Sequence, residues 1–304
     1  MLNMINVLHF VFYFLPHYIP SPPAWSSALQ IGPFKIHVYA VVILIGIAIA
    51  VYYGDKRFTL RGAEKETVLD VAIYTIPISV IGARLYHTIS NWDEYYPPNG
   101  DFLAVFRIWE GGIAIFGGML TGILVVYIYL VRIRNMRLGP FADSIAPYIP
   151  LAQVFGRIGN YFNQELFGYP TTLPWGLKLD NAHNPTEFPK GTLYHPTFLY
   201  EQILNFIVFI VLLRIDKKRT LYSGQLFSLY MIFYGIIRFL LEFIRIDPAY
   251  VFMGIRFNGW AALIVAIIGC AAFVYCGKIG KPTVYSDEEK LNWKKMSKKS
   301  EQEK

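Results

Sequence analysis

Seven apolar stretches, each near the length that crosses a lipid bilayer as a helix, dominate this chain of 304 residues. They fall near residues 35–53, 67–89, 112–131, 141–158, 196–213, 225–243 and 258–276. No water-soluble domain accommodates so many long apolar runs. The fold class expected is therefore all-α, a polytopic membrane protein of seven helices. Residues 34–276 form the transmembrane domain, with an external loop at about 159–195. Residues 1–33 form an N-terminal extracytoplasmic segment, whose apolar first 20 residues are broken by Pro16 and read as interfacial. A basic tail follows from 277 to 304 and is expected to lie solvated beside the lipid.

The net charge of +7 invites a nucleic-acid reading, but the positions of the charges argue against one. Lys56, Arg57, Arg61 and Lys65 follow the first span. Arg132, Arg134 and Arg137 follow the third, and Arg214, Lys217, Lys218 and Arg219 follow the fifth. Eight lysines follow the seventh. Basic loops are retained in the cytoplasm, so this pattern predicts a cytoplasmic C-terminus and, with seven spans, an external N-terminus. The surplus charge is a topology signal and not a nucleic-acid surface.

That orientation gathers the polar residues of the spans at one level. His37 and Tyr39 open the first span, and Arg84 closes the second. Glu110 opens the third, Arg157, Gly159 and Asn160 close the fourth, and Glu201 opens the fifth. Arg238 and Glu242 close the sixth. All six groups fall on the external side, at the depth of lipid headgroups. A charge inside an apolar span is costly and marks function. The planar guanidinium fork suits phosphate oxygens, so the arginines read as a clamp for a phospholipid phosphate. The structural alternative is an internal pair such as Arg238 with Glu242, whose i,i+4 spacing allows contact along one helix face.

The segment Gly156-Arg157-Ile158-Gly159-Asn160-Tyr161-Phe162-Asn163-Gln164-Glu165 is the densest of these clusters. Its glycines permit a ligand or another helix to come close, and Asn160, Asn163 and Glu165 supply donors and acceptors where the chain leaves the membrane. Gly117-Gly118 reads as a close helix contact. His37 is open to two readings, a general base or an interfacial residue. No zinc-binding His-Glu-x-x-His or Cys/His cluster occurs, so no metal is expected. No serine-nucleophile elbow and no phosphate-cradling Gly-x-x-x-x-Gly-Lys loop occurs either.

These same residues resemble the motifs of the prolipoprotein diacylglyceryl transferase family. The resemblance runs through Ile36-His37-Val38-Tyr39-Ala40, Gly82-Ala83-Arg84-Leu85-Tyr86, Trp109-Glu110-Gly111-Gly112, the Gly156–Glu165 segment, His195-Pro196-Thr197 with Leu199-Tyr200-Glu201, and Arg238-Phe239 with Glu242. It implies an enzyme of the bacterial cell membrane, with its active site at the extracytoplasmic leaflet. Such an enzyme moves the diacylglyceryl group of phosphatidylglycerol onto the lipobox cysteine of a prelipoprotein signal peptide, forming a thioether and releasing glycerol phosphate. This is the first step of lipoprotein maturation, and it needs no cofactor. By the same resemblance, Tyr39, His37, Asn160, Glu165 and Arg238 are catalytic. Arg157, Arg238, Gly159, Asn163, Arg84 and Glu242 bind the lipid. One position departs: many members carry histidine where this chain has Phe116. The base then lies elsewhere, with His37 and Glu165 as candidates, or arginine electrostatics lower the thiol pKa. The rival readings are an anionic-lipid flippase, for which the inner halves of the spans are too apolar, and another transferase with a lipid-phosphate donor.

Overall fold

A computed structural model describes residues 18–31, 34–96, 100–108, 111–291 and 293. The readings of residues 1–17, of Glu110 and of the last residues of the tail lie outside that range. The chain is mostly helical. The long helices are α1 (Val38–Leu60), α2 (Thr67–Ser90), α3 (Ile115–Tyr127, continued by a wider turn over Ile128–Ile133), α4 (Leu138–Ile145), α5 (Tyr148–Asn163), α6 (Thr197–Lys218), α7 (Gln225–Glu242) and α8 (Phe257–Ile279).

Among the described residues six helices are long and apolar enough to cross a membrane, namely α1, α2, α3 with its continuation, α6, α7 and α8. The chain is a multi-pass membrane protein. The fourth expected span, 141–158, divides into α4 and α5, separated by a turn at Ala146 and Pro147. Proline lacks the N–H that would continue the ladder, and its ring disfavours helical backbone at the residue before it. α5 therefore starts afresh after Pro147 and runs for only 16 residues.

The chain forms two compact units. The first comprises residues 1–50, 146–220 and 225–279, and so contains the opening of α1 together with α5, α6, α7 and α8. In it α6 packs against both α5 and α7, and α7 packs along α8. Three short antiparallel hairpins decorate the helix ends: β1 (Ala28–Ile31) with β2 (Phe34–His37), β3 (Leu177–Lys178) with β4 (Leu193–Tyr194), and β5 (Val251–Phe252) with β6 (Ile255–Arg256). Leu177, Leu179, Tyr194 and Phe198 give the 166–195 loop its own small core, so that stretch is ordered by burial of apolar side chains.

The second unit comprises residues 51–145, 221–224 and 280–304. Here α2 and α3 pack at close range: a Cβ added to Gly117 would lie 2.4 Å from the Gly82 carbonyl oxygen, closer than any side chain tolerates. The tail also differs from its expectation. Tyr285 and Trp293 are buried in a cluster with Phe58, Leu130 and Phe141. The Tyr285 N–H donates to Arg61 O at 2.9 Å, and its hydroxyl donates to Arg137 O at 2.9 Å. Two aromatic residues in a run dominated by lysine are enough to dock the first part of the tail by burial, and only its remainder has the composition of a solvated flank.

Candidate functional site

The C-terminal end of α5 builds one half of the site. Backbone geometry comes first: Gln164 and Leu166 adopt the left-handed conformation, at φ 52° and 58°, which turns the chain back across the end of the helix. The turn brings Glu165 beneath its neighbours. Asn160 Nδ2 donates to Glu165 Oε1 at 2.8 Å, and Asn163 Nδ2 donates to the same oxygen at 3.1 Å. Arg157 Nη1 donates to Asn160 Oδ1 at 2.9 Å, and Arg157 Nη2 pairs with Glu201 of α6. Four of the residues singled out in the sequence, Arg157, Asn160, Asn163 and Glu165, therefore form one continuous network. It ends on a carboxylate, Glu201, that is only 4% exposed at its side chain.

Tyr39 joins this half from the first turn of α1. Its ring lies on the backbone of Gly159, where an added Cβ would fall 2.0 Å from Cδ2. Gly159 thus has no room for a side chain, and the ring position is set by that absence.

The end of α7 builds the other half. Arg238 Nη2 lies 3.1 Å from Glu242 Oε2, one turn along the helix. The other oxygen of Glu242 lies 2.9 Å from Arg256 Nε, on β6. Arg256 reaches onward to Asp247 Oδ2 at 2.9 Å, and Asp247 Oδ1 meets Arg245 Nε at 2.7 Å. Burial opposes the charge of Asp247, but the hydrogen bond from Arg245 and the charges of Arg245 and Arg256 outweigh it and hold the carboxyl below its usual range. Glu242 is thus shared between two guanidinium groups and cannot neutralise both. Arg238 is left with Nη1 buried and without a hydrogen-bond partner among the described residues. A buried cationic donor with nothing to donate to is costly, and it marks the place where an anion belongs.

The halves meet electrostatically. Tyr234, one turn below Arg238, lies within reach of the charges of Arg238, Glu201, Arg157 and Glu242. Beside the Glu242–Arg256 pair a cleft of about 200 Å³ opens, lined by Tyr169, Phe243, Arg245 and Val251 among others. The 166–195 loop is tied to the α5 end: Gln164 Nε2 donates to Asp180 Oδ2 at 2.6 Å, and the Asp180 N–H donates to Gln164 Oε1 at 2.9 Å. Trp175 Nε1 donates to the Tyr200 hydroxyl at 3.0 Å, which shares a hydrogen bond of 3.1 Å with His195 Nδ1.

The two remaining expected site residues, His37 and Arg84, each have surroundings of their own. His37 is exposed at the end of β2, opposite Ala28, and no hydrogen bond or ion pair joins it to the described residues of the network. Arg84 belongs to the second unit. Its Nε donates to Val105 O at 2.9 Å, its Nη1 to Gly111 O and Gly112 O at 2.6 and 2.9 Å, and its Nη2 to Ala104 O. All three of its nitrogens are spent on main-chain carbonyls, so Arg84 shapes the turn before α3. Glu201 was expected at this level but given no role, and Tyr234 and Arg256 were not expected at the site. The signal for Glu201 was a carboxylate in an apolar helix, which demands a buried partner. The signal for Tyr234 was its i,i+4 spacing to Arg238. Arg256 meets Glu242 through a hairpin, which helix spacing does not reveal.

The profile of the family described as prolipoprotein diacylglyceryl transferase matches residues 26–275. The chain belongs to this family. It is 43% identical to the phosphatidylglycerol–prolipoprotein diacylglyceryl transferase of Bifidobacterium longum over 86% of this chain and 87% of the relative. It is 43% identical to the protein of the same name from Leifsonia xyli, over 83% and 78%. It is 40% identical to a second such transferase of Streptomyces coelicolor, over 84% and 80%. The matched region includes every residue of both halves of the site, so the Arg157 network and the Arg238 group lie within the part shared with the transferase family.

Proposed function

We propose that this protein transfers the diacylglyceryl group of phosphatidylglycerol to the lipobox cysteine of a prelipoprotein signal peptide. The observation that carries the reading is Arg238 Nη1, buried and without a hydrogen-bond partner among the described residues, in a chain of the transferase family.

The phosphate of the donor lipid is held by Arg157 and Arg238, whose charges offset the negative charge that grows on the leaving group. The cysteine sulfur attacks the glycerol carbon that carries the phosphate. The C–S bond forms as the C–O bond breaks, and the electron pair departs on glycerol phosphate. The thiol proton passes to Glu165, which keeps Oε2 free of hydrogen bonds among the described residues. Glu165 takes this role because the position where many relatives carry histidine is Phe116 here. Tyr39 and Asn160 hold the α5 end in place. Glu242 fixes the Arg238 guanidinium so that its free edge faces the phosphate.

Topology supports placing this site at the extracytoplasmic leaflet of the bacterial cell membrane. α1, α3, α6 and α8 each end in a basic segment, so each runs inward. A chain that ends α3 inside and begins α6 outside must cross once between them, and only α4 and α5 lie there. In this reading the segment that holds α4 and α5 makes the seventh crossing, the start of α1 is outside and the C-terminus is cytoplasmic.

Purified protein incubated with labelled phosphatidylglycerol and a lipobox peptide tests the reading. A thioether-linked product is expected. Movement of the lipid between leaflets without product would instead make the protein a flippase.

A further inference from the structure

One turn beneath the Arg157–Glu201 pair lies a second polar layer that takes no part in the bond changes of the transfer. α5 and α6 run antiparallel there: Arg157 meets Glu201, and Gln202 Nε2 donates to Val154 O at 3.2 Å. Four residues back along α5 is Gln153, and four residues on along α6 is Asn205, so the two amides share a level. Gln153 Nε2 donates to the Tyr230 hydroxyl of α7 at 3.2 Å. Gln153 Oε1 and Asn205 Nδ2 are both buried and have no hydrogen-bond partner among the described residues. Asn205 as a whole is 2% exposed.

Inside a membrane there is no bulk water to satisfy such groups, and each orphan costs free energy until something occupies it. The Tyr230 hydroxyl donates or accepts, so a half-turn of the Gln153 amide keeps that bond and presents a second N–H to the layer. Unturned, the layer holds one free donor, Asn205 Nδ2, and one free acceptor, Gln153 Oε1; with the Gln153 amide turned it offers donors alone and takes an acceptor. The phosphate site lies one turn above. A diacyl glycerolipid bears one ester on the glycerol carbon next to the one carrying phosphate and a second on the carbon beyond it, and the carbonyls of both are acceptors only.

We infer that Asn205, with Gln153 and Tyr230 beside it, binds an ester carbonyl of the donor lipid and so aims the reacting glycerol carbon. The inference rests on the transferase reading above. It makes the enzyme selective for ester-linked over ether-linked donors through contacts below the headgroup.

The test compares diester phosphatidylglycerol with its dialkyl-ether analogue of equal chain length, using purified enzyme and a lipobox peptide. The unmodified enzyme is expected to show a KM about five-fold higher for the ether lipid, the size of one lost hydrogen bond. Asn205→Leu is expected to raise the KM for the diester lipid to the ether value while leaving the ether KM and kcat unchanged. Retained turnover of the ether lipid shows that the variant is folded. Equal KM values for the two lipids in the unmodified enzyme overturn the inference without any variant. An Asn205→Leu effect that is the same on both lipids also overturns it, and assigns the layer to packing or to a trapped water. Absence of thioether product from the diester lipid overturns the transferase reading itself.

Discussion

The ring of Tyr39 rests directly on the backbone of Gly159, with Cδ2 only 2.0 Å from where a Cβ would stand. The two residues therefore set each other's position: the glycine admits the ring, and the ring fills the glycine. Gly159→Ala forces the ring or α5 to move, at a cost of about 1–3 kcal/mol for an overpacked site. Transfer activity is expected to fall at least ten-fold, by about 1.4 kcal/mol or more on the barrier, with membrane insertion intact. Turnover assays on the purified variant check this, and unchanged turnover would show that the Tyr39 position does not matter to the reaction.

Arg157, 19% exposed at its side chain, pairs with the buried Glu201 carboxylate between α5 and α6, and each is the other's compensation. Arg157→Ala strands the Glu201 charge, with a destabilisation of about 3–5 kcal/mol. It also removes half of the proposed phosphate clamp. The two effects separate in Arg157→Ala/Glu201→Gln, which removes the stranded charge. The double variant is expected to regain most of the lost thermal stability in detergent and none of the transfer activity. Recovery of activity would assign Arg157 to packing alone.

The helices were legible from the sequence because lipid leaves a simple signature, a run of apolar residues about as long as the bilayer is thick. The division of the fourth span was less visible, since Pro147 and Pro150 sit among apolar neighbours that mask the break. The Arg157–Glu165 cluster was legible because it is contiguous, and a glycine-flanked arginine followed by amides has few packing explanations. Arg84 looked equivalent to Arg157 in sequence. The difference lies in what surrounds it, four main-chain carbonyls of a loop 20 to 28 residues away, which no local pattern encodes. The docked part of the tail was hidden for the opposite reason: its lysines dominate the composition, while Tyr285 and Trp293 do the packing.

Arg238 keeps one nitrogen on Glu242 and leaves Nη1 without a hydrogen-bond partner among the described residues. Lysine at this position retains the charge but offers no second, fixed donor. Arg238→Lys is expected to raise the KM for phosphatidylglycerol roughly ten-fold or more, the loss of about 1.5–3 kcal/mol for a charge-assisted hydrogen bond. Initial-rate measurements across lipid concentrations in mixed micelles read this out. An unaltered KM would remove Arg238 from the clamp.

Asp180 links the external loop to α5 through Gln164 and to His183 at 2.8 Å. Burial opposes its charge, but hydrogen bonds from the His183 side chain, from Gln164 and from the His183 backbone outweigh it and lower its carboxyl from 3.8 to about 2. A depressed pKa means that the folded state prefers the charged form. The stabilisation is therefore complete above about pH 4 and is lost as the pH falls toward 2. Asp180→Asn is expected to be less stable than the unmodified chain at neutral pH and to show a flatter decline of Tm between pH 4 and pH 2. Parallel Tm curves for the two proteins across that window would show that the Asp180 contacts do not couple to folding.

Tyr285 is 2% exposed and ties the tail to two other segments, through Arg61 O, and through Arg137 O with the Arg137 guanidinium 4.8 Å above its ring. Truncating a buried aromatic ring to alanine costs about 3–5 kcal/mol. Tyr285→Ala is expected to lower Tm in detergent and to expose the 281–293 segment to protease, while Tyr285→Phe, which keeps the ring and loses one hydrogen bond, costs only about 1 kcal/mol. Because Tyr285 lies in the unit that does not contain Arg157 or Arg238, the turnover of folded Tyr285→Phe is expected to match that of the unmodified enzyme. A large loss of turnover in a fully folded Tyr285→Phe protein would mean that the tail does more than hold neighbouring segments together.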